Sequence, residues 1–254
     1  MTTQAIIQRI RENDWSLVDQ PGTIGPEAAA EIRPLLRDED PEVRELAVHA
    51  LAAAGGPQGR QGVLEALRND SIMARSAACR CLEARPDPQD RPALAAEVAS
   101  NGDEFVRRTA ARVLGVIGDA DTVDVLKRQI AVETDSTARD AMALALARLD
   151  EPEYRRRYLA RLHHAEPAER ARAAEDAPYV GPAVLGDLLP LLDDARDAVR
   201  AGPSDSARML RVCDVAVNVL DTMLEHPFSF QTGRRIRYST DQIDEARRLL
   251  RQGR

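Results

Sequence analysis

The chain is almost without lysine. Of its 35 cationic side chains, all but Lys127 are arginine. That excludes a lysine-rich membrane patch and leaves a single candidate for Schiff-base chemistry. Aromatic residues make up only 3%, so alanine and leucine carry the apolar weight; both are strong helix formers, and small alanines let helices approach closely. Cysteine is confined to Cys79, Cys81 and Cys213, an odd number without a disulfide-like framework, as expected in a reducing compartment. No apolar run reaches the roughly 18 residues of a membrane-spanning helix, and the opening residues hold no signal-peptide core; a cytoplasmic protein is expected. Positive charge is in deficit as well. The net charge is −7, whereas a duplex-binding domain is usually basic.

What the sequence does have is periodicity. The 254 residues suit one large domain or two small ones, and 44% are apolar, enough for a core. An arginine recurs at Arg44, Arg75, Arg107, Arg139 and Arg170, at spacings of 31, 32, 32 and 31. A sixth copy places Cys213 at this anchor after a spacing of 43, an insertion of about eleven residues. Three residues past the anchor stand Ala47, Ala78, Ala110, Met142, Ala173 and Ala216; seven past it stand Leu51, Leu82, Leu114, Leu146, Ala177 and Leu220. With Val43, Ala74, Val106, Ala138 and Val212 just before the anchor, these columns form the buried stripe of a helix. Asp40, Ser71, Asp103 and Asp135 are N-caps at its start. Gly55, Pro86, Gly118, Asp150 and Gly181 are its stops. A second apolar segment lies upstream of each such helix, so each repeat is helix A, a short turn and helix B, and no pair can bury both its faces alone. The fold class expected is all-α, an α-solenoid of about six two-helix repeats. Residues 1–25 form an N-terminal capping helix, with Trp15 over the open core end. The solenoid covers 26–224, and 225–254 form a C-terminal cap.

The run Asp40-Pro41-Glu42-Val43-Arg44, followed by Ala47, Ala50 and Leu51, with its later copies, resembles the short bacterial HEAT-like repeats of the phycobilin lyase family. The resemblance covers roughly residues 26 to 224. It implies the fold and says almost nothing of function, because such repeats serve unrelated roles. The anchor arginine reads as structural, pairing with a carboxylate or a helix C-terminal carbonyl of the adjacent repeat. The fifth repeat departs from the pattern, with Glu169 and Asp176 at places apolar elsewhere.

After Leu224 the pattern changes. His226-Pro227 stops the helix, and Phe228 to Tyr238 alternates apolar and polar residues around Thr232-Gly233, a β-hairpin signal. Ser239 and Gln242 make a capping box for a last helix over about 240–251. The hairpin is read as a lid on the last repeat or as a partner contact built from aromatic and arginine side chains.

Catalytic patterns are scarce. The four histidines are His49, His163, His164 and His226. Iron hydroxylases of HEAT-like build carry His-Glu pairs, and this sequence has none. No Gly-rich phosphate loop and no G-x-S-x-G occurs. What remains is a surface on the helix-B layer, expected to line the concave side. It carries Arg80, Arg108 and Arg112 in the middle, with Glu83 the one acid in their columns, and Asp214, Asn218 and Asp221 towards the C-terminus. The expectation is therefore a non-catalytic scaffold or adaptor that binds another protein, an immunity or regulatory protein for example. Arg80, Arg108, Arg112, His49, Asp214, Asn218, Phe228 and Tyr238 are the candidate contacts; no metal or cofactor is expected. The alternatives are a lyase or chaperone-type enzyme acting on a chromophore-bearing or other protein, and a DNA-damage binder.

Overall fold

The computed structural model describes residues 1–19, 22–202, 208–225 and 228–252. The chain divides into two compact units, Met1–Ala145 and Leu146–Arg254. Its elements in order are α1 (Thr3–Arg11), α2 (Ser16–Asp19), α3 (Ala29–Ile32), α4 (Pro41–Ala54), α5 (Gly56–Ala66), α6 (Ile72–Ala84), α7 (Arg91–Ser100), α8 (Glu104–Ile117), α9 (Ala120–Ile130), α10 (Ser136–Arg148), α11 (Pro152–Leu162), α12 (Pro167–Val180), β1 (Asp197–Ala201), β2 (Arg208–Arg211), α13 (Val212–Met223) and α14 (Thr240–Gln252). Short 3-10 segments flank α3, precede α7 and, at Pro182–Asp193, stand where the sixth helix A is expected. The fold is 72% helical, in line with the all-α expectation.

The repeat columns explain the helices. Helix B of successive repeats is α4, α6, α8, α10, α12 and α13. Its three-column stripe is buried from Val43, Ala47 and Leu51 to Val212, Ala216 and Leu220, except at the half-buried Glu169 of the fifth repeat. The four N-caps act as such: Asp40 accepts from the Glu42 N–H at 2.8 Å, Ser71 from Ala74 at 3.4 Å, Asp103 from Phe105 at 2.9 Å and Asp135 from Ala138 at 2.8 Å. Each satisfies a helix-start donor that has no intrahelical partner. At the other end, Gly181 has φ +109°, a conformation that favours glycine.

The anchor arginine closes each repeat in the same way. It donates to the carbonyl six residues upstream, in the turn between helix A and helix B: Arg44 to Asp38 at 2.5 Å, Arg75 to Asn69 at 2.8 Å, Arg107 to Asn101 at 2.9 Å, and Arg139 and Arg170 to Glu133 and His164. Four of the five also reach a carboxylate of the following repeat. Arg75 meets Asp103 at 2.7 Å, Arg107 meets Glu133 at 2.7 and 2.8 Å, Arg170 meets Asp194 at 2.7 Å, and Arg44 meets Asp70 at 3.7 Å. The expected carboxylate is thus the neighbour's, but the carbonyl belongs to the arginine's own repeat. At the sixth anchor Cys213 is buried, and its N–H donates to the Asp194 carbonyl at 3.0 Å. The fifth repeat absorbs its polar substitutions by pairing them: Glu169 with Arg172 at 2.5 Å and Asp176 with Arg161 at 3.0 Å.

Two expectations are corrected. The N-terminal cap is two helices, α1 and α2, and Trp15 is 40% exposed; Ile6, Ile10 and Leu17 fill the core end instead. Phe228–Tyr238 is not a hairpin. Among the described residues the only sheet is β1–β2, antiparallel, pairing Val199 with Leu210 and Arg200 with Met209. It occupies the insertion between the fifth and sixth helix B. The physical reason is that the Ser229, Gly233 and Tyr238 N–H groups bond Glu245, Asn218 and Asp214 of helices instead of a second strand. Finally, His226 and Pro227 fall outside the described residues; α13 ends at Met223, and Glu225 has φ +57°.

Candidate partner-binding cleft

The last helix B, α13, is unlike the others because its polar side chains are covered by the segment that follows it. Asp214 is fully buried and collects donors from two directions. Arg211 gives it Nη2 at 2.7 Å, Nε at 3.0 Å and its N–H at 2.8 Å, and the Tyr238 N–H adds a bond at 2.9 Å. Burial alone would raise this carboxyl's pKa; the hydrogen bonds from Arg211 and Tyr238 outweigh it and hold the group below the usual carboxylate range. One turn on, Asn218 Oδ1 accepts from the Tyr238 hydroxyl at 2.6 Å and from the Gly233 N–H at 3.1 Å. Another turn on, Asp221 accepts from the Thr232 hydroxyl at 2.6 Å. Arg211 also donates to the Tyr238 carbonyl at 2.6 Å. Three helix positions therefore clamp residues 232–238, while Phe228 and Phe230 stack at 5.0 Å and Phe230 meets Tyr238 at 5.5 Å.

This clamp forms one wall of a half-open cleft of about 800 Å³. Val215 and Val219 of α13 make an apolar floor with Val199 and Leu210 of the sheet, and Pro178 closes the α12 side. Arg234 and Arg235 stand exposed on the rim. Glu175 of α12 opens into the same space. Partial withdrawal of water raises its carboxyl pKa, Asp176 adds to the rise, and Arg234 opposes it.

The expected contacts divide accordingly. Asp214, Asn218 and Tyr238 come together, with Phe228 in the adjoining stack, but Asp214 and Tyr238 are 0% and 3% exposed and build the wall rather than face a partner. Arg80, Arg108, Arg112 and His49 lie in the first unit, where one acid beyond the expected Glu83, Glu45, reaches the arginines. Arg80 pairs with Glu45 at 2.8 Å, Arg112 lies 3.5 Å from Glu83, and Arg108 sits 4.6 Å over the Phe105 ring. His49 is half-buried, edge-on to Trp15 at 5.4 Å and 3.9 Å from Cys81 Sγ. Burial lowers its pKa, and Arg80 lowers it further against Glu45. The expected contacts do not include Arg234, Arg235 and Thr232 by number, although Thr232-Gly233 reads as the turn and the segment's arginines as a candidate partner contact. Among the described residues no group of three His, Cys, Asp or Glu side chains converges as a metal site, and no helix is long and apolar enough to cross a membrane.

A family model for HEAT repeats matches residues 15–72 and 60–147, more than half of the chain. The chain belongs to the HEAT-repeat family. Its fold is of the solenoid class. Among solved structures, the complex of CpcE and CpcF of phycocyanin lyase from Nostoc sp. PCC7120 is similar at a TM-score of 0.53 and 19% identity, over 99% of this chain and 94% of that one. Human deoxyhypusine hydroxylase in complex with glycerol aligns at a TM-score of 0.37 and 15% identity, over 89% of this HEAT-repeat chain and 96% of that one. No curated protein matches the sequence. At these identities the first likeness shows the fold alone.

Proposed function

We propose that this HEAT-repeat protein is a non-catalytic scaffold that binds another protein, and that the C-terminal cleft is its contact site. One observation carries the reading: the two departures from the repeat, the β1–β2 insertion and the 228–238 segment, both line the same cleft on the last helix B. The regular repeats spend their recurrent arginines on one another, so the chain's individuality lies where the pattern breaks. The cleft has the make-up of a recognition site, an apolar floor with a few placed polar groups. The CpcE–CpcF structure supports a protein partner, since there two chains form a complex. In the first unit, the pairing of Arg80 with Glu45 weakens the charge argument for the middle ridge.

The test is capture from the source cells by the tagged full chain, followed by reconstitution of the purified pair and intact-mass analysis of the partner over time. A stable complex with a chemically unchanged partner is expected. A partner released with a covalent change, such as an added or removed chromophore, would replace the scaffold by a lyase-type enzyme. Recovery of duplex DNA alone, with steeply salt-dependent affinity, would replace it by a DNA-binding function.

A further inference from the structure

The cleft has a chemistry specific enough to name what enters it. Resting on the scaffold reading above, we propose that it receives an extended acidic–aliphatic peptide segment of the partner, with Arg234 and Arg235 taking its carboxylates. Neither arginine has a carboxylate within ion-pair distance among the described residues, unlike the anchor arginines, most of which are committed. Both are exposed, yet the backbone that carries them is fixed on either side. The Gly233 N–H bonds Asn218 and the Tyr238 hydroxyl, the latter at 2.9 Å, and the Tyr238 N–H bonds the buried Asp214. A charged pair displayed on a pinned backbone loses little freedom on binding, and the guanidinium fork matches a carboxylate in two-point contact.

The rest of the cleft selects a polypeptide over a nucleic acid. Aliphatic side chains fit the floor of Val199, Leu210, Val215 and Val219. Glu175 of α12 lines the same cleft and accepts hydrogen bonds; a peptide backbone offers N–H groups to it, whereas a phosphate backbone offers only repulsion.

The experiment uses the full chain and three fluorescent probes: a short peptide of alternating leucine and glutamate, the matched leucine–lysine peptide, and a single-stranded oligodeoxynucleotide. Anisotropy should show preferential binding of the leucine–glutamate peptide. The double variant R234E/R235E should weaken it by about tenfold or more, in the range of losing a charge contact at an interface. The triple variant R80E/R108E/R112E should leave it unchanged, both variants keeping the helical circular-dichroism signal. Equal affinity for the lysine peptide, preference for the oligonucleotide, or undiminished binding by folded R234E/R235E would overturn the assignment. If R234E/R235E still assembles with the captured partner, the cleft assignment falls and the scaffold reading stands. If the peptide binds as expected but no cellular protein assembles, the scaffold reading falls and the cleft assignment stands.

Discussion

The two compact units use one repeat in different ways. In Met1–Ala145 the pattern runs almost without interruption, and its charged residues are spent on regularity: anchor arginine to turn carbonyl, anchor arginine to the next repeat's carboxylate, aspartate or serine to helix start. In Leu146–Arg254 the same anchor appears once, at Arg170, and is then replaced by Cys213 after an insertion. There a further buried charge stands on the last helix, where Asp214 holds Arg211 and Tyr238. The comparison teaches that a repeat's ion pairs serve stacking where they recur, and that a non-recurring buried ion pair marks where the chain has built something of its own.

Breaking the non-recurring pair should have the largest effect. Asp214→Ala leaves Arg211, the Tyr238 N–H and the Arg211 N–H without their common acceptor, and truncating one partner of a buried pair costs about 3–5 kcal/mol. Chemical denaturation of the variant should show that loss, together with weakened binding of the leucine–glutamate peptide, because the wall that carries Arg234 and Arg235 is no longer pinned. A loss below about 1 kcal/mol would mean that Asp214 is dispensable and that the contrast between the units is drawn in the wrong place.

The repeat pattern was legible down to single residues, and the cleft was not, for a physical reason. Anchor, stripe, caps and stops each recur, so the sequence tests every assignment against its copies; Asp40, Asp103 and Asp135 cap because all three stand at one offset. Nothing repeats in residues 197–211 or 225–238. The alternation from Phe228 to Tyr238 has strand periodicity, but periodicity cannot tell whether backbone donors find a strand or the side chains of Asn218 and Asp214. The true strands, Asp197–Ala201 and Arg208–Arg211, are short and rich in arginine, and carry little strand signal. Likewise the helix-B columns put Arg80 and Arg112 away from the buried stripe, but the pairing of Arg80 with Glu45 runs between adjacent repeats and becomes visible only when the repeats are stacked.

The ladder comes next in size. Arg107 and Glu133 are 14% and 2% exposed, so Arg107→Ala should cost about 1–3 kcal/mol. Arg44→Ala, whose partner Asp70 is 87% exposed at 3.7 Å, should cost nearer 1 kcal/mol. The pair also predicts a pH dependence. The Arg107 hydrogen bond holds Glu133 below its ordinary value of 4.5, against the opposing effect of burial. A carboxyl lowered in the folded state contributes stability that is complete above its unfolded pKa and lost as the pH falls through the folded value. Denaturation midpoints should therefore hold steady down to about pH 5 and decline below it. In Arg107→Ala the Glu133 share of that decline should shrink. An equal acid decline in variant and wild type would dissociate the ladder from the carboxylate shift.

The smallest effect is expected from the surface row of the first unit. Arg80 is 54% exposed, and its contact with Glu45 at 2.8 Å is open to water and salt. Holding a long arginine side chain in one geometry costs entropy, and exposed pairs return only about 0.2–1 kcal/mol. Arg80→Ala should therefore shift stability within that range, and less so at high salt, where screening weakens what the pair contributes. Its effect on partner binding separates the two candidate surfaces more sharply than its effect on stability. Removing Arg80 frees the Glu45 carboxylate and makes the ridge more acidic, so a partner docked there would bind more weakly, while one docked at the C-terminal cleft would be indifferent. Unchanged partner affinity in Arg80→Ala, with the expected small stability change, is the outcome that follows from placing the contact in the second unit; a severalfold loss of affinity would return the contact to the first.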